Sequence, residues 1–449
     1  MKVALIQPAK DSCQLVPFTM GYLTSYLEKH NIETKFIDEA SHDDVEKTLS
    51  DYQPDFIGIT CTTPIASQAY RLIKWIKENT TAYLVMGGVH ASALPDEIFA
   101  LGVDSIVMGE GEEALLQIIK DPNRYYKQTV DIPLKIKDLD ELPSPAFHQM
   151  NIEKYYVHAR RIFPKSLWRF APRNARVGSI LSCRGCPYKC IFCVNSKRSS
   201  PLRFNSVNRM LSEVEYFVSK HKVQYFFFPE DDLFCNKKRF LSFAEELRLR
   251  YPKIKYYAQS RAISLNDEIL DAAKRSGCVQ IGIGFESGSE RILNYLKSGF
   301  VTVEQSKRAV ELCKKHKIKV FGNFIIGAPD EEWSDVELTR RFIFDNKIDD
   351  AAVFMLMPFP GTELWNRCLK GGSISEKGNN WEEWYLSSHN FSICNAVDKA
   401  KHIQFADTIN EHFQYKNGDI SIKYELLRRN VRNFLMKRIS ETIRLLKRQ

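Results

Sequence analysis

"LSCRGCPYKCIFC", residues 181–193, places four cysteines, Cys183, Cys186, Cys190 and Cys193, within thirteen positions. The gaps between them are two, three and two residues. A tetrahedral zinc site draws two CxxC pairs together from separate loops, and those pairs normally stand many residues apart. Three intervening residues do not easily let two loops approach one ion from opposite sides. A compact cysteine loop suits an iron–sulfur cubane instead, whose irons are presented at several corners. Zinc is the minor reading, and the thiols are either four ligands or three ligands and a bystander.

The cluster follows an apolar run, "VGSILS" (177–182), that opens a series of alternating strand and helix signals. Further strands are expected at "QYFFFPE" (224–230), "YYAQSRA" (256–262), "VQIGIGFES" (279–287), "KVFGNFIIG" (319–327) and "AAVFMLMPF" (351–359). Amphipathic segments at Val207–Ser219, Lys237–Arg250, Asp267–Ser276 and Glu304–His316 read as the intervening helices. Six such units predict a partial (β/α)6 barrel, too few for a closed eight-stranded one, with functional side chains just past the strands.

The first ~120 residues alternate in the same way. Strands are expected at "KVALIQPA", "ETKFID", "DFIGITCTT", "AYLVMGGVH" and "SIVMGEGE", with helices at Met20–Glu28, Val45–Asp51 and Ser67–Glu78. Continuous apolar strands between amphipathic helices imply a doubly wound parallel sheet covered on both faces. Ligands bind beyond the carboxyl ends of such strands. Thr60, Thr62, Gly87, Gly88, Gly109 and Glu110 fall at those ends, where small residues admit a bulky ligand; ordinary strand-to-helix turns would look much the same. The expected fold class is α/β. It comprises a doubly wound sheet over 1–135, a linker over 136–175, the partial barrel over 176–375 and a C-terminal cap and helical tail over 376–449. The linker includes the acidic, proline-bearing "DLDELPSPAF" (138–147) and then a basic, aromatic stretch.

Composition narrows the function classes. The chain has 449 residues, 44% hydrophobic and 27% charged, as in ordinary globular proteins. It has no apolar run long enough for a membrane span and no signal-peptide pattern at its N-terminus, so the cytoplasm is the expected compartment. Eleven cysteines in such a chain point to metal or catalysis rather than to disulfides. The formal charge is +9, and nine Lys/Arg against Glu425 and Glu441 put +7 of it in residues 420–449. Charge confined to one tail, without a stacking platform, argues against nucleic-acid binding. In that tail Leu427, Val431, Leu435, Ile439, Ile443 and Leu446 recur at helical spacing beneath the basic residues. This basic amphipathic helix would dock on the barrel or contact a membrane surface or acidic partner.

Cys186-x3-Cys190-x2-Cys193, with Phe192 before the last cysteine, resembles the signature of the radical S-adenosylmethionine (radical SAM) superfamily. The resemblance implies that three thiolates hold a [4Fe–4S] cluster and leave one iron open for S-adenosylmethionine, with Cys183 a non-ligand. Reductive cleavage then yields methionine and a 5′-deoxyadenosyl radical, with an electron donor such as flavodoxin or ferredoxin. "FPEDDLF" resembles the acidic segment beside the methionine amino group, with Glu230, Asp231 and Asp232 as candidates. Gln259 and Arg261 of "QSRA" would meet the carboxylate or ribose, and Glu286 and Ser287 of "GIGFESGSERIL" the ribose. "FGNFIIGAPDEE" and "MPFPGTELW" match the later strands of the same group.

The first domain resembles the cobalamin-binding domain of the cobalamin-dependent class, on "PFTMGYLTSYLEKHNIETKFID", "PDFIGITCTTP", "VMGGVHASALPDE" and "GEGEEALL". The resemblance implies that Thr60, Thr62, Gly87, Gly88, Gly109 and Glu110 contact cobalamin. The DxHxxG loop whose histidine ligates cobalt elsewhere is absent, replaced by "AKDSCQLVP", and many members of the class also lack it. The methylthiotransferase relatives are disfavoured. The expected activity is methyl transfer to an unactivated carbon or phosphorus of a small-molecule or lipid-linked substrate. A radical oxidation, cyclisation or rearrangement without methyl transfer, and a non-catalytic iron–sulfur module, are the alternatives.

Overall fold

Apolar strands that alternate with amphipathic helices pair in parallel, because each helix returns the chain to the same end of the sheet. The computed structural model describes residues 1–9, 16–41, 43–133, 136–155, 170–172, 175–197, 201–375, 378–384 and 392–417. The first sheet holds β1 (Lys2–Gln7), β2 (Glu33–Asp38), β3 (Phe56–Thr60), β4 (Tyr83–Gly87), β5 (Ser105–Met108) and β6 (Gln128–Asp131). Their order is β2-β1-β3-β4-β5-β6, all parallel. The order reverses between β1 and β3, which opens a crevice beyond their carboxyl ends. The sequence pattern does not announce β6, because "QTVD" exposes three of its four residues. "SIVMGEGE" is only half strand: β5 stops at Met108, Gly109 turns the chain with φ 70°, and the helix Gly111–Lys120 follows.

The second sheet begins with β7 (Val177–Ser179). A short antiparallel ribbon of β8 (Cys183–Arg184) and β9 (Arg203–Phe204) comes next. The sheet continues through β10 (Tyr225–Phe228), β11 (Lys255–Ser260), β12 (Cys278–Glu286), β13 (Lys319–Ile326) and β14 (Asp350–Met355). The six long-range strands run parallel in the order β7-β10-β11-β12-β13-β14, an open (β/α)6 arrangement. All four residues of β10, "YFFF", are buried, as a strand covered on both faces requires. The helices between strands carry local start signals; Thr302 and Gln305, for example, form a capping box at the helix Val303–Lys315.

Edges and joints are closed by side chains. Asn410, on the C-terminal helix Lys399–Asn417, accepts from Val353 N–H at 2.8 Å and donates to its carbonyl at 3.0 Å, blocking the free edge of β14. Trp365, Trp381 and Trp384 pack against the outer face of the first sheet, and Trp381 Nε1 donates to Glu97 at 2.7 Å. The segment expected to be a linker is a packed strap where it is described: Leu139, Leu142, Phe147, Met150 and Ile152 are buried. Ala146 N–H donates to Gly21 O at 2.9 Å, and Arg209 Nη1 to Leu142 O at 3.0 Å, so this strap touches both domains. Much of the basic aromatic stretch (156–169), the end of the aromatic cap (385–391) and the basic helix beyond 417 lie outside the described residues.

The C-terminal helix also buries His402, whose Nε2 lies 3.7 Å from Glu331 Oε2. Glu331 accepts from the Gly327 and Ala328 N–H groups, yet burial pushes its carboxyl up to about 7. Between the ordinary glutamate value and pH 7 the folded chain therefore keeps a proton that the unfolded chain releases, and stability falls as pH rises. The stability difference between wild type and Glu331→Gln, from urea midpoints, should shift by about 3 kcal/mol against wild type across that window. A difference independent of pH would refute the buried-carboxyl account.

Candidate functional site

The carboxyl ends of the two sheets face one cavity of about 370 Å³. Thr60, Thr62, Gly87, Gly88, Gly109 and Glu110 line it from the first domain, and Cys183, Arg184, Gly185, Asn195, Glu230 and Asp231 from the second. Gly88 adopts φ 98° where a Cβ would stand 2.4 Å from the Cys61 carbonyl oxygen, so only glycine lets β4 leave the sheet beside β3. At Gly109 a Cβ would meet nothing within 4 Å, so the backbone is open to a ligand. These bare surfaces fit a bulky group laid across the sheet's carboxyl edge.

The β8–β9 ribbon closes the base of the cysteine loop. Cys183 lies within the ribbon, paired in register with Phe204, whereas Cys186, Cys190 and Cys193 sit in the loop beyond it. Cys183 is buried against the cavity, and desolvation pushes its thiol far above the ordinary range. In the loop, Cys193 N–H donates to Cys190 O at 3.1 Å. The Arg261 guanidinium reaches Cys186 Sγ at 3.3 Å and Cys190 Sγ at 3.8 Å. Among the described residues no three His, Cys, Asp or Glu side chains gather round a single ion. A cubane takes each thiolate on a different iron, and three soft donors strung along one loop beside a cation fit that group.

Burial sorts the three expected carboxylates. Glu230 is buried and accepts from Ser182 Oγ at 2.5 Å; its other oxygen has no partner among the described residues, and desolvation raises its pKa. Asp231 is exposed at the cavity wall and accepts from Asn195 Nδ2 at 3.1 Å. Asp232 is turned inward, held by Ser264 Oγ at 2.5 Å and Phe234 N–H at 3.1 Å, with burial pushing its carboxyl up to about 6. Glu230 and Asp231 therefore meet the cavity, and Asp232 fixes the loop behind them.

Other expected contacts are distributed unevenly. Gln259 is half-buried at the end of β11, where its carbonyl accepts from Leu233 N–H at 3.1 Å. Phe192 packs against the cluster of Ile191, Ile292 and Leu296. Glu286 takes φ 62° beside a shift in the β12–β13 register, and its carboxylate pairs with buried Lys297 at 3.2 Å. Ser287 is fully buried and bonded to Thr339 Oγ1 at 3.2 Å, so its hydroxyl is engaged within the core.

One group of functional residues escapes sequence reasoning. Arg184 pairs with Glu112 at 2.7 Å and Glu110 at 3.2 Å across the domain boundary, and its guanidinium lies 4.8 Å from the centre of the Tyr22 ring. Arg203, its cross-ribbon neighbour, also pairs with Glu110 and donates to Ile136 O. Adjacent arginines would repel, but Glu110 between them offsets the repulsion. The sole signal in the sequence is an arginine inside the cysteine motif, and nothing local reveals its partners.

Iron content provides a direct check. Cys183→Ser should retain the iron of reconstituted wild type, whereas Ala at 186, 190 or 193 should lose most of it; iron loss in Cys183→Ser would move the ligand assignment. Arg184→Met should cost about 3–5 kcal/mol by stranding buried Glu112, with Glu112→Gln recovering part of the loss in the double variant. Additive losses in that cycle would show the pair to be uncoupled.

The sequence comparisons agree with this geometry. A radical SAM superfamily model matches residues 180–343, and a B12 binding domain model matches residues 13–119. An uncharacterized methyltransferase of Pyrococcus horikoshii is 29% identical over 415 residues, covering 86% of this chain and 86% of that protein. The anaerobic magnesium-protoporphyrin IX monomethyl ester cyclase of Rubrivivax gelatinosus is 26% identical, covering 84% of this chain and 68% of its own. Among solved structures, the cobalamin-dependent S-adenosylmethionine radical enzyme OxsB, with aqua-cobalamin and S-adenosylmethionine bound, superposes with a TM-score of 0.70. It is 18% identical, over 97% of this chain and 72% of that one. With a cysteine loop after the first barrel strand and a parallel sheet facing it, the chain carries a radical SAM superfamily domain preceded by a B12-binding domain.

Proposed function

We propose that the chain is a cobalamin-dependent radical SAM methyltransferase acting on an unactivated carbon or phosphorus of a small molecule. The observation that carries this reading is the single cavity walled by both carboxyl edges, with Thr60, Gly87 and Gly109 on one side and Cys183, Glu230 and Asp231 on the other. Bound there, the cluster and S-adenosylmethionine would supply a carbon radical, and the corrinoid would supply a carrier for the methyl group. Cys186, Cys190 and Cys193 would hold the cluster, while Cys183 is fixed in the ribbon as a non-ligand. Asp231 and Glu230 receive the methionine ammonium, while Phe192, Gln259 and Glu286 shape the nucleoside side. The six carboxyl-edge residues of the first sheet seat the corrinoid.

The compartment we propose is the reducing cytoplasm, with a one-electron donor of the flavodoxin or ferredoxin class as partner. No disulfide forms among the described residues, and no described helix is long and apolar enough to cross a membrane. Similarity to a cyclase favours one rival, a radical transformation without methyl transfer.

Anaerobic reconstitution separates these readings. About four irons and one cobalamin per chain should bind. A methylated product together with S-adenosylhomocysteine is expected from a substrate screen followed by mass. 5′-Deoxyadenosine alone would favour the rival, and iron-loaded protein that never cleaves S-adenosylmethionine would reduce the chain to a binding module.

A further inference from the structure

Arg261 occupies a position that a ligand-binding role alone does not explain. It follows β11, and two of its three nitrogens point at cysteine sulfurs: Nη2 at 3.3 Å from Cys186 Sγ and Nη1 at 3.8 Å from Cys190 Sγ. Its third nitrogen, Nε, is buried without a partner among the described residues. Its guanidinium carbon lies 3.7 Å from the centre of the Tyr188 ring and 5.8 Å from that of Phe300, and those two rings themselves stand 4.9 Å apart. No carboxylate lies within ion-pair distance of it among the described residues. A half-buried cation without a carboxylate is costly unless another negative charge faces it. Here the groups within hydrogen-bonding reach are the Cys186 and Cys190 sulfurs, which would carry that charge as cluster ligands.

We infer that Arg261 is a positioning residue that sets the reduction potential of the cluster, by donating N–H···S hydrogen bonds to the Cys186 and Cys190 thiolates. The proposal rests on those cysteines being cluster ligands, as argued above. One-electron reduction adds negative charge to the iron–sulfur unit, and a fixed cation with two donors stabilises the reduced form more than the oxidised form. Hydrogen bonds to cluster sulfurs and nearby charge are recognised levers on such potentials. Tyr188, on the cysteine loop itself, acts as the platform that keeps the guanidinium planar against the sulfurs, since Arg is well suited to stack on a ring while its N–H fork stays free. Lysine would keep the charge but lose both the stack and the two-pronged geometry.

The test is a redox titration of the reconstituted cluster without S-adenosylmethionine, followed by electron paramagnetic resonance, with iron and sulfide measured on every sample. Arg261→Gln should hold as much iron as wild type while its midpoint moves to more negative potential. At fixed applied potential, the oxidised-to-reduced ratio should rise about tenfold, or about 59 mV for a one-electron couple. Arg261→Lys should fall between the two. Tyr188→Leu, which leaves the arginine in place, should move the midpoint in the same direction by less, and Tyr188→Phe should not move it. If Arg261→Gln loses its cluster, the Lys and Tyr188 variants still read the effect. Unchanged midpoints across the iron-loaded variants, with S-adenosylmethionine affinity alone weakened, would overturn the proposal and make Arg261 a ligand contact. Wild-type protein that assembles no cluster would instead overturn the cysteine assignment on which the proposal stands.

Discussion

The cavity has two walls from two different domains, and the ion pairs of Arg184 hold those walls together. Arg184 sits two residues ahead of Cys186, and its guanidinium is divided between Glu110 and Glu112 of the other domain. Ion pairs at this depth add little net stability, because desolvation consumes most of the Coulombic gain. What they provide is register: a charge buried without its partner is so costly that the two edges meet in one arrangement. Arg203 reinforces this by reaching the same Glu110 and the strap at Ile136. Once this joint is set, the cysteine loop, the β10 carboxylates and the glycines of the first sheet all open into one space.

Within that space the protein separates roles by burial rather than by residue type. Glu230, Asp231 and Asp232 are consecutive, yet one is buried with an unpartnered oxygen, one is exposed and one is tied to two hydroxyls and a backbone N–H. A strand that ends in a tight turn sends neighbouring side chains in different directions, so three chemically similar groups acquire three environments. The glycines on the facing wall act by subtraction: the missing Cβ of Gly88 lets the chain pass the Cys61 backbone, and that of Gly109 leaves backbone open to a ligand.

The architecture was largely legible because it is written in local patterns. Strands such as "YFFF" are apolar throughout, and expected helices such as Val207–Ser219 end within two residues of the observed Val207–His221. β6 was not legible, since a polar edge strand carries neither alternation nor an apolar run. The strap over residues 138–152 was equally opaque: its prolines and acids suggest a solvated linker, while its buried apolar side chains find partners only in the folded chain. The same distinction governs the site. Three cysteines on one loop are a local signal, and glycines at strand ends nearly so. Arg184 and Glu112 are 72 positions apart, and Ser287 engages Thr339 across 52, so their roles depend on packing that no short window contains.

The arrangement of charge round the cysteine loop has a further consequence for how a zwitterionic ligand would sit. Asp231 stands on the β10 side of the loop and Arg261 on the β11 side. An ammonium would therefore be drawn toward Asp231, whose carboxylate is exposed and only singly bonded within the described residues. Arg261 has five N–H donors, of which two face the Cys186 and Cys190 sulfurs and Nε has no partner among the described residues, so donors remain for a carboxylate beside the stacked Tyr188 ring. The two signs of charge therefore flank the cysteine loop, so a zwitterion would lie with its ammonium toward Asp231 and its carboxylate end toward Arg261.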